Sequence, residues 1–402
     1  MRMATTIHPR IAIIGGGPRG LTLALTLHRR GISYTVYERE TDQEARAHLG
    51  GILDVGYDSA QRALRENGLG KVFVRVSRPD ADTFRTYDSA GNLLFAKDAD
   101  PNQDPLELRP EIDRPVLRRI LLDAIPADTM KWGHELASVR ELGNGERELK
   151  FTNGSTATVD ILVGADGANS RVRPLVSSAV LIYHGVAGVE ISIPPEDTKK
   201  PELQDTVNMV GAGSMLPFGD GKVFGSQVNG DGRLRTYAWL PGPEDWKVPS
   251  GPAEARQVLL EEFKDWAPSL RKLIESCDDK AIYPRPLYRL PIDHKWKHVP
   301  GVTILGDAVH LMSTYTCSGV NLAMLDALEL GIVLANTING GSSLEEREAA
   351  IAAWEEQMME EANRIAVIND ENVRATLNRD DIGAILGSFA KYMGRSELRR
   401  KA

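Results

Sequence analysis

The stretch that decides the fold reads Ile11-Ala12-Ile13-Ile14-Gly15-Gly16-Gly17-Pro18-Arg19-Gly20, and residues 21–30 continue with helical patterning. An apolar run that breaks into glycines just before a helix is typical of a strand, a phosphate loop and a helix. In such a loop Gly15 allows the tight turn, Gly17 lets backbone N–H groups approach a pyrophosphate, and Gly20 lets the helix lie close to the strand. We therefore predict that a diphosphate binds at the positive N-terminus of this helix.

A second strand, predicted over residues 33–37, supports dinucleotide binding because it ends at Glu38. A carboxylate about 20 residues beyond the glycine loop is placed to accept a hydrogen bond from a ribose hydroxyl. Because a carboxylate disfavours a 2′-phosphate, the loop indicates FAD or NAD(H) rather than NADP(H) as its dinucleotide. The competing interpretation is a structural glycine turn, with Glu38 at a solvated strand end.

Length and composition limit the remaining possibilities. The chain has 402 residues, of which 42% are hydrophobic, enough for two domains or one large domain with an insertion. Its 56 acidic against 48 basic residues argue against nucleic-acid partners, which favour a basic face. Cys277 and Cys317 lack metal-site spacing, so we expect no metal and a reducing compartment. Residues 1–10 lack a signal core and no apolar run approaches about 18 residues, so we expect a cytoplasmic protein without a membrane span.

Two further motifs follow predicted strands. One strand over residues 159–163 runs into Gly164-Ala165-Asp166-Gly167, and another over residues 302–305 runs into Gly306-Asp307. An apolar helix is predicted shortly after, opened by Gly319. Because ligands of open α/β sheets bind at the carboxyl ends of the strands, we expect these motifs to meet at one edge. The alternative for Asp166 is a tight turn in which it caps the following segment.

These three motifs, in this order, resemble those of the class A FAD-dependent monooxygenases, the single-component aromatic hydroxylases, over almost the whole chain. The resemblance implies that the glycine loop and Glu38 hold the ADP half of FAD. It also implies that the Asp-Gly motif serves FAD and a transient NADPH or NADH, and that the Gly-Asp motif binds the ribityl chain and pyrophosphate. The residues implied to contact FAD are Gly15, Gly17, Pro18, Gly20, Glu38, Arg39, Asp54, Arg114, Asp166, Gly167, Gly306, Asp307, Gly319, Val320 and Asn321.

The predicted fold is α/β, with three parts. A Rossmann-like FAD-binding domain is assigned to residues 1–76, 98–176 and 287–340. Residues 177–286 contain short strands separated by Gly, Pro and Asp turns, which predicts an antiparallel sheet. With a hairpin in residues 77–97, this range forms an inserted substrate-binding domain. Residues 341–402 are predicted as C-terminal helices, including one that bridges the two domains over the pocket.

Within the family, the chain is most similar to the tetracycline destructases. The similarity rests on residues 36–39, 44–46, 50–54, 111–114, 306–312 and 354–358. It implies that Arg46 contacts the nicotinamide cofactor, and that Asn208, Arg235 and Asn372 contact the substrate. One loop departs from the family pattern Pro-Pro-x-x-Gly-Gln-Gly, because residues 313–319 read Ser-Thr-Tyr-Thr-Cys-Ser-Gly. The loss of two prolines and a glycine predicts added backbone freedom in this loop, which lies beside the isoalloxazine in the family and would loosen the flavin site.

The resemblance also implies the activity. NAD(P)H would reduce FAD, O₂ would form a C4a-hydroperoxyflavin, and its terminal oxygen would pass to an electron-rich aromatic or polyketide substrate, tetracycline among the candidates. Because the flavin carries this chemistry, no catalytic side chain is predicted. One alternative is a flavin reductase or a halogenase, although Trp246-Lys247-Val248-Pro249 does not match the halogenase motif Trp-x-Trp-x-Ile-Pro. The other is an FAD-binding protein without turnover. A monomer or weak homodimer is expected.

Overall fold

The computed structural model describes residues 8–45, 50–98, 102 and 109–377. Its helices are α1 (Pro18–Arg29), α2 (Ala60–Glu66), α3 (Gly70–Val76), α4 (Arg114–Leu122), α5 (Gln204–Val210), α6 (Pro252–Glu262), α7 (Pro268–Glu275), α8 (Asp307–His310), α9 (Gly319–Asn339) and α10 (Leu344–Leu377). Its strands are β1 (Ile11–Ile14), β2 (Thr35–Tyr37), β3 (Ile52–Asp54), β4 (Phe84–Tyr87), β5 (Leu93–Lys97), β6 (Glu111–Asp113), β7 (Met130–Lys131), β8 (Leu136–Glu141), β9 (Arg147–Phe151), β10 (Thr156–Val159), β11 (Ile161–Gly164), β12 (Ile182–Tyr183), β13 (Val186–Ile193), β14 (Ser214–Met215), β15 (Phe218–Gly219), β16 (Lys222–Val228), β17 (Leu234–Pro241), β18 (Ile282–Pro284), β19 (Tyr288–Arg289) and β20 (Val302–Ile304).

The first layer is a five-stranded parallel sheet in the order β20-β11-β1-β2-β7. Strands β1, β11 and β20 are buried along their whole length, as expected for apolar runs of a parallel sheet covered on both faces. Helix α1 packs against α9, with Gly331 of α9 against Thr26 of α1. The parallel register places the carboxyl ends of β1, β11 and β20 side by side. The three predicted motifs therefore meet at one edge, as the sequence predicts.

The second layer is an antiparallel sheet in the order β18-β13-β17-β16-β14-β4-β5, with β15 paired to β16. Helices α6 and α7 cover one face, where Phe224, Phe263 and Trp266 form an aromatic cluster. The other face turns toward the carboxyl edge of the parallel sheet, where its residues line a cavity. The predicted hairpin is present as β4 and β5. Within residues 177–286, strand β12 lies outside this sheet and pairs with β19.

Helix α10 bridges the two layers. Near its start Glu348 accepts a hydrogen bond from the backbone N–H of Gly301 at 2.7 Å, and Glu355 accepts one from the Thr303 hydroxyl at 2.7 Å. Toward its end, Asp370 pairs with His184 at 3.1 Å and with Arg289 at 3.5 Å. The prediction of a C-terminal bridging helix is confirmed for residues 344–377. The part of that prediction that covers residues 378–402 lies outside the described residues.

One helix of the described chain, α9, has the length and apolar composition to cross a membrane. This differs from the expectation that no apolar run approaches that length. The helix lies in the core, where most of its apolar window is buried between α1, α2 and α10. Its composition is thus that of a core helix, whose residues are apolar because they pack on all sides.

Candidate active site

The glycine loop makes close backbone contacts that explain its composition. Gly15 has φ +109°, and a Cβ there would lie 2.4 Å from the carbonyl oxygen of Ala165. A Cβ on Gly20 would lie 1.9 Å from the carbonyl oxygen of Gly15. A side chain at Gly15 would push the loop away from the segment that follows β11. A side chain at Gly20 would push α1 away from the loop. The predicted reasons for glycine at these positions, a tight turn and close helix packing, are confirmed.

Glu38 follows β2 and its carboxylate lies beside the loop. It is 8% exposed and accepts hydrogen bonds from the backbone N–H of Gly16 at 2.5 Å and of Glu40 at 3.0 Å. Glu38 is therefore not the solvated strand end of the competing interpretation. Arg39, predicted beside it as an FAD contact, pairs with Glu40 at 3.4 Å and is half exposed. Arg46 lies outside the described residues, so its predicted role stays a prediction.

The Asp-Gly motif forms the turn after β11. Asp166 accepts hydrogen bonds from the backbone N–H of Arg171 at 2.7 Å and of Val172 at 3.4 Å, which is the capping arrangement of the alternative interpretation. Its other oxygen, Oδ1, is buried and has no hydrogen-bond partner among the described residues. Gly167 adopts φ +84°. One carboxylate oxygen therefore holds the turn, and the predicted contact of Asp166 with FAD stays a prediction.

The Gly-Asp motif opens α8 with Gly306 at φ +63°. Asp307 forms an ion pair with Arg19 of the glycine loop, Nη1 to Oδ2 at 2.7 Å. Burial raises the pKa of the Asp307 carboxyl, but Arg19 outweighs burial and holds that pKa below its ordinary value. Asp307 is consequently an anion at neutral pH, and the pair joins two of the three motifs across the sheet edge.

A buried ion pair supports the Gly306 turn from below. Asp326 of α9 accepts a hydrogen bond from the backbone N–H of Gly306 at 3.2 Å and lies 2.7 Å from Nε2 of His310. Burial lowers the pKa of His310, but Asp326 outweighs burial and raises that pKa above its ordinary value. This support fixes the position from which the Asp307 carboxylate projects.

A cavity of about 690 Å³ lies between the two layers. Its floor is made by the motif residues Pro18, Arg19, Asp307, Gly319 and Val320, together with Asp54 and Arg114. Its apolar wall comes from the antiparallel sheet and the hairpin, and includes Phe84, Leu94, Phe95, Met215, Leu216, Tyr237 and Trp239. Tyr237 and Trp239 are stacked, with centroids 5.4 Å apart and planes 9° apart. The space is therefore suited to two flat molecules, one on the motif floor and one against the apolar wall.

Two glycines at helix N-termini border free space in which a dinucleotide would fit. Gly17 immediately precedes α1 and Gly319 begins α9, and at both glycines nothing lies within 4 Å of where a Cβ would stand. Two positive helix N-termini thus open onto free space. Arg114, at the start of α4, lines the same cavity and forms no ion pair with any described residue. This arrangement can accept a pyrophosphate at α1 and negative charge at α9.

The loop over residues 313–318 is held by α10, although it lacks the prolines of the family pattern. The Ser313 hydroxyl donates to Oδ1 of Asn369 at 2.6 Å, and Asn369 Nδ2 donates to the Ser313 carbonyl at 2.7 Å. Asn372 Nδ2 donates to the carbonyl of Tyr315 at 3.0 Å. Cys317 adopts a left-handed conformation, φ +49°. Side-chain clamps from α10 thus fix this loop, so the missing prolines do not leave it unsupported as the sequence suggests.

The three residues predicted to contact the substrate do not line the cavity. Asn208 is exposed on α5, Arg235 is buried in an ion pair with Glu190, and Asn372 is engaged with Tyr315. Asn321, predicted as an FAD contact, also lies behind the cavity wall. Its side chain accepts from the backbone N–H of Gly56 at 2.8 Å and donates to the carbonyl of Asp54 at 2.9 Å. None of these four residues is among those that line the cavity, and three of them are engaged with protein partners, so their contacts with FAD or substrate stay predictions.

Sequence reasoning missed the charged edge of the cavity. Asp82, Lys97, Arg109 and Glu111 line it beside Asp54. Glu111 stands in the stretch 111–114 that carries part of the family resemblance, but no role was predicted for it or for the other three. They come together because β3 pairs with β6 and β4 pairs with β5. Arg19 was also missed as a site residue. It stands within the Gly15–Gly20 stretch, where a cation beside a predicted pyrophosphate site could have marked it as a candidate.

The comparisons with known proteins agree with this geometry. A family model described as "FAD binding domain" matches residues 9–361. The chain is 28% identical to monooxygenase asqM of Emericella nidulans over 86% of this chain and 90% of that protein. Among solved structures, Klebsiella pneumoniae HpxO complexed with FAD and uric acid is similar with a TM-score of 0.78 at 22% identity, covering 99% of this chain and 95% of that one. The tetracycline destructase Tet(51) is similar with a TM-score of 0.71 at 20% identity, covering 98% and 97%.

At these identities the two solved structures show the fold alone, which confirms the predicted α/β architecture with its antiparallel layer and C-terminal helices. The family model covers most of the chain and includes all three motifs. The chain therefore belongs to the FAD-binding-domain family of class A flavin monooxygenases.

Proposed function

We propose that the protein is an NAD(P)H-dependent hydroxylase of electron-rich aromatic or polyketide molecules. The observation that carries the proposal is the single cavity shared by the FAD-binding motifs and the apolar wall of the antiparallel sheet. A substrate against Tyr237 and Trp239 would lie within the same enclosed space as a flavin on the motif floor. Such a space is what a direct oxygen transfer requires.

Bound FAD would supply the redox and oxygen-transfer chemistry. The chain would hold it through the N-terminus of α1, the Glu38 carboxylate and the Asp307–Arg19 pair, since Pro18, Arg19 and Asp307 line the cavity and Glu38 is bonded to the backbone of the glycine loop. The N-terminus of α9 would stabilise negative charge on the ring system. The apolar wall would exclude water from the reacting atoms, which strengthens every electrostatic interaction in the site.

The nicotinamide cofactor would bind transiently. The sequence contains one G-x-G-x-x-G stretch, and the FAD would occupy it. Arg46 remains the proposed contact for the nicotinamide cofactor. A cytoplasmic location and a monomeric or weakly dimeric state also stay proposals.

Tetracycline is one candidate substrate, favoured by the sequence similarity to the destructases. The polar contacts expected for it, Asn208, Arg235 and Asn372, do not line the cavity. A broader class of flat aromatic or polyketide substrates therefore has the better support.

The experiment is NAD(P)H oxidation by the purified, flavin-loaded protein, with and without a panel of phenols, lactams and tetracyclines, followed by mass spectrometry. We expect at least one compound to stimulate oxidation and to yield a product heavier by one oxygen atom. Flavin-loaded protein whose oxidation no compound stimulates would favour the FAD-binding protein without turnover. Stimulated oxidation with unchanged compounds would favour a reductase.

A further inference from the structure

One edge of the cavity carries three carboxyl groups and two cations. Asp54 is paired with Arg109 at 2.8 Å, and Asp82 is paired with Lys97 at 2.9 Å. Glu111 is the third carboxyl group, and it lies directly opposite Asp54 in the β3–β6 pair. The two cations of this edge are therefore committed to other carboxylates, and Glu111 has no ion-pair partner among the described residues.

Glu111 is buried and its side chain makes no hydrogen bond with any described residue. It is 7% exposed, lines the cavity, and its Oε2 atom is shielded from solvent with no partner among the described residues. A buried polar group without a partner destabilises the fold, so such a group in a cavity indicates a partner supplied by a ligand. The unpartnered Oε2 atom therefore points to a ligand independently of the charge of the surrounding carboxyl groups.

The neutral acid is the form of Glu111 that this environment favours. A carboxylate without a cation, next to the Asp54 carboxylate and out of water, is disfavoured by both desolvation and like charge. Burial, and after it Asp54, raise the pKa of Glu111 well above its ordinary value. Arg109 opposes this rise but is paired with Asp54. The neutral group presents an O–H donor and a C=O acceptor side by side.

A paired donor and acceptor has a specific chemical complement. The N–H of a lactam donates to the C=O of a carboxylic acid while its neighbouring C=O accepts from the acid O–H, so the two groups form two hydrogen bonds with one carboxylic acid. A phenol satisfies only one of the two groups. A carboxylate substrate would meet this edge without a free cation, because Arg109 and Lys97 are already paired. The remaining lining near this edge, Phe84, Leu94 and Phe95, is apolar and suits the faces of a fused ring.

We propose that Glu111 is the polar anchor of the substrate site and that it selects neutral ring substrates carrying adjacent N–H and C=O groups. This inference rests on the proposed function, since it deepens the substrate class of the same cavity. Glu111 is a positioning and specificity-determining residue here. The oxygen-transfer chemistry stays with the flavin.

The test measures the binding of two small molecules to the flavin-loaded protein in the absence of NAD(P)H. Flavin-loaded protein is titrated by calorimetry with isoquinolin-1-one and with its N-methyl derivative, which keeps the ring and the carbonyl but lacks the N–H. We expect the N-methyl compound to bind about 10-fold or more weakly, because one buried hydrogen-bonding group is left unpaired. Glu111→Gln, whose amide both donates and accepts, should keep this discrimination. Glu111→Leu should abolish it.

Glu148→Gln is the matched control, because Glu148 lies on β9, pairs with Arg140 at 3.0 Å and is absent from the cavity lining. Equal affinities of the two compounds for the wild-type protein, or no binding of either, would overturn the inference even if Glu111→Leu failed to fold. Discrimination that persists in Glu111→Leu would also overturn it. Normal binding without any turnover would refute the proposed function and leave the role of Glu111 standing.

Discussion

Glu38→Ala is the substitution whose consequences follow most directly from the structure. The carboxylate accepts from two backbone N–H groups, those of Gly16 and Glu40. Hydrogen bonds to charged groups contribute about 1.5–3 kcal/mol each, so we expect the apoprotein to lose roughly 2–4 kcal/mol of unfolding free energy after local relaxation. The ribose hydroxyls of FAD would lose their acceptor as well. That loss should weaken FAD by roughly 1–3 kcal/mol, or about 5- to 150-fold in Kd.

The assay has two independent arms. Urea unfolding of the apoprotein measures the free energy of unfolding, and quenching of flavin fluorescence on titration measures the FAD Kd. Glu40→Gln is the control, because the Glu40 side chain pairs with the half-exposed Arg39 at 3.4 Å, and the FAD Kd of this variant should stay within about twofold of the wild type. A wild-type Kd in Glu38→Ala would refute the assignment of Glu38 to the ribose, whatever the effect on stability.

Three further predictions concern the core, the flavin groove and the acidic edge. Gly331→Ala should lower the unfolding free energy by about 1–3 kcal/mol, because the new Cβ would lie 2.4 Å from Thr26 Cγ2; adding Thr26→Ser, which removes that methyl group, should recover part of the loss in urea titrations. Asp307→Ala should purify with little flavin, judged by its visible absorbance, because the carboxylate is lost and Arg19 is left unpaired; full occupancy would sink the assignment. Glu111→Gln should become more stable relative to the wild type as pH rises above the ordinary Glu pKa of 4.5. The unfolded wild type releases this proton near that pH and the folded protein only at higher pH, so the wild type loses stability over the interval; a difference that stays constant with pH would contradict the raised pKa.

Local sequence patterns predict the parts of the site in which chain neighbours act together. The β1–α1 loop is an example. A Cβ on Gly20 would meet the carbonyl oxygen of Gly15, five residues earlier, and a Cβ on Gly15 would meet Ala165, which follows the adjacent strand β11. The order of the three motifs then predicts one sheet edge, because parallel strands end together. The bridging helix is predicted by its long amphipathic pattern.

Pairings between distant residues were not predictable. Arg19 and Asp307 meet only because β1 and β20 flank β11 in the sheet, and no local pattern marks that order. Asn372 was expected to contact the substrate, and no local pattern shows that its Nδ2 atom donates to the carbonyl of Tyr315 in the loop over residues 313–318. Glu111 is conspicuous only after its neighbours are known to be paired with each other. A side chain's role in a cavity depends on which partners are already taken, and that depends on the fold.

Oxygen-isotope incorporation tests directly whether the protein transfers an oxygen atom from O₂ to its substrate. Flavin-loaded protein is supplied with NAD(P)H, a stimulating compound from the panel and oxygen-18 gas in ordinary water, and the products are weighed by mass spectrometry. We expect one labelled oxygen atom in the product for each NAD(P)H consumed in coupled turnover. Product oxygen that comes from water, or NAD(P)H consumption that yields only hydrogen peroxide with every compound, would contradict it.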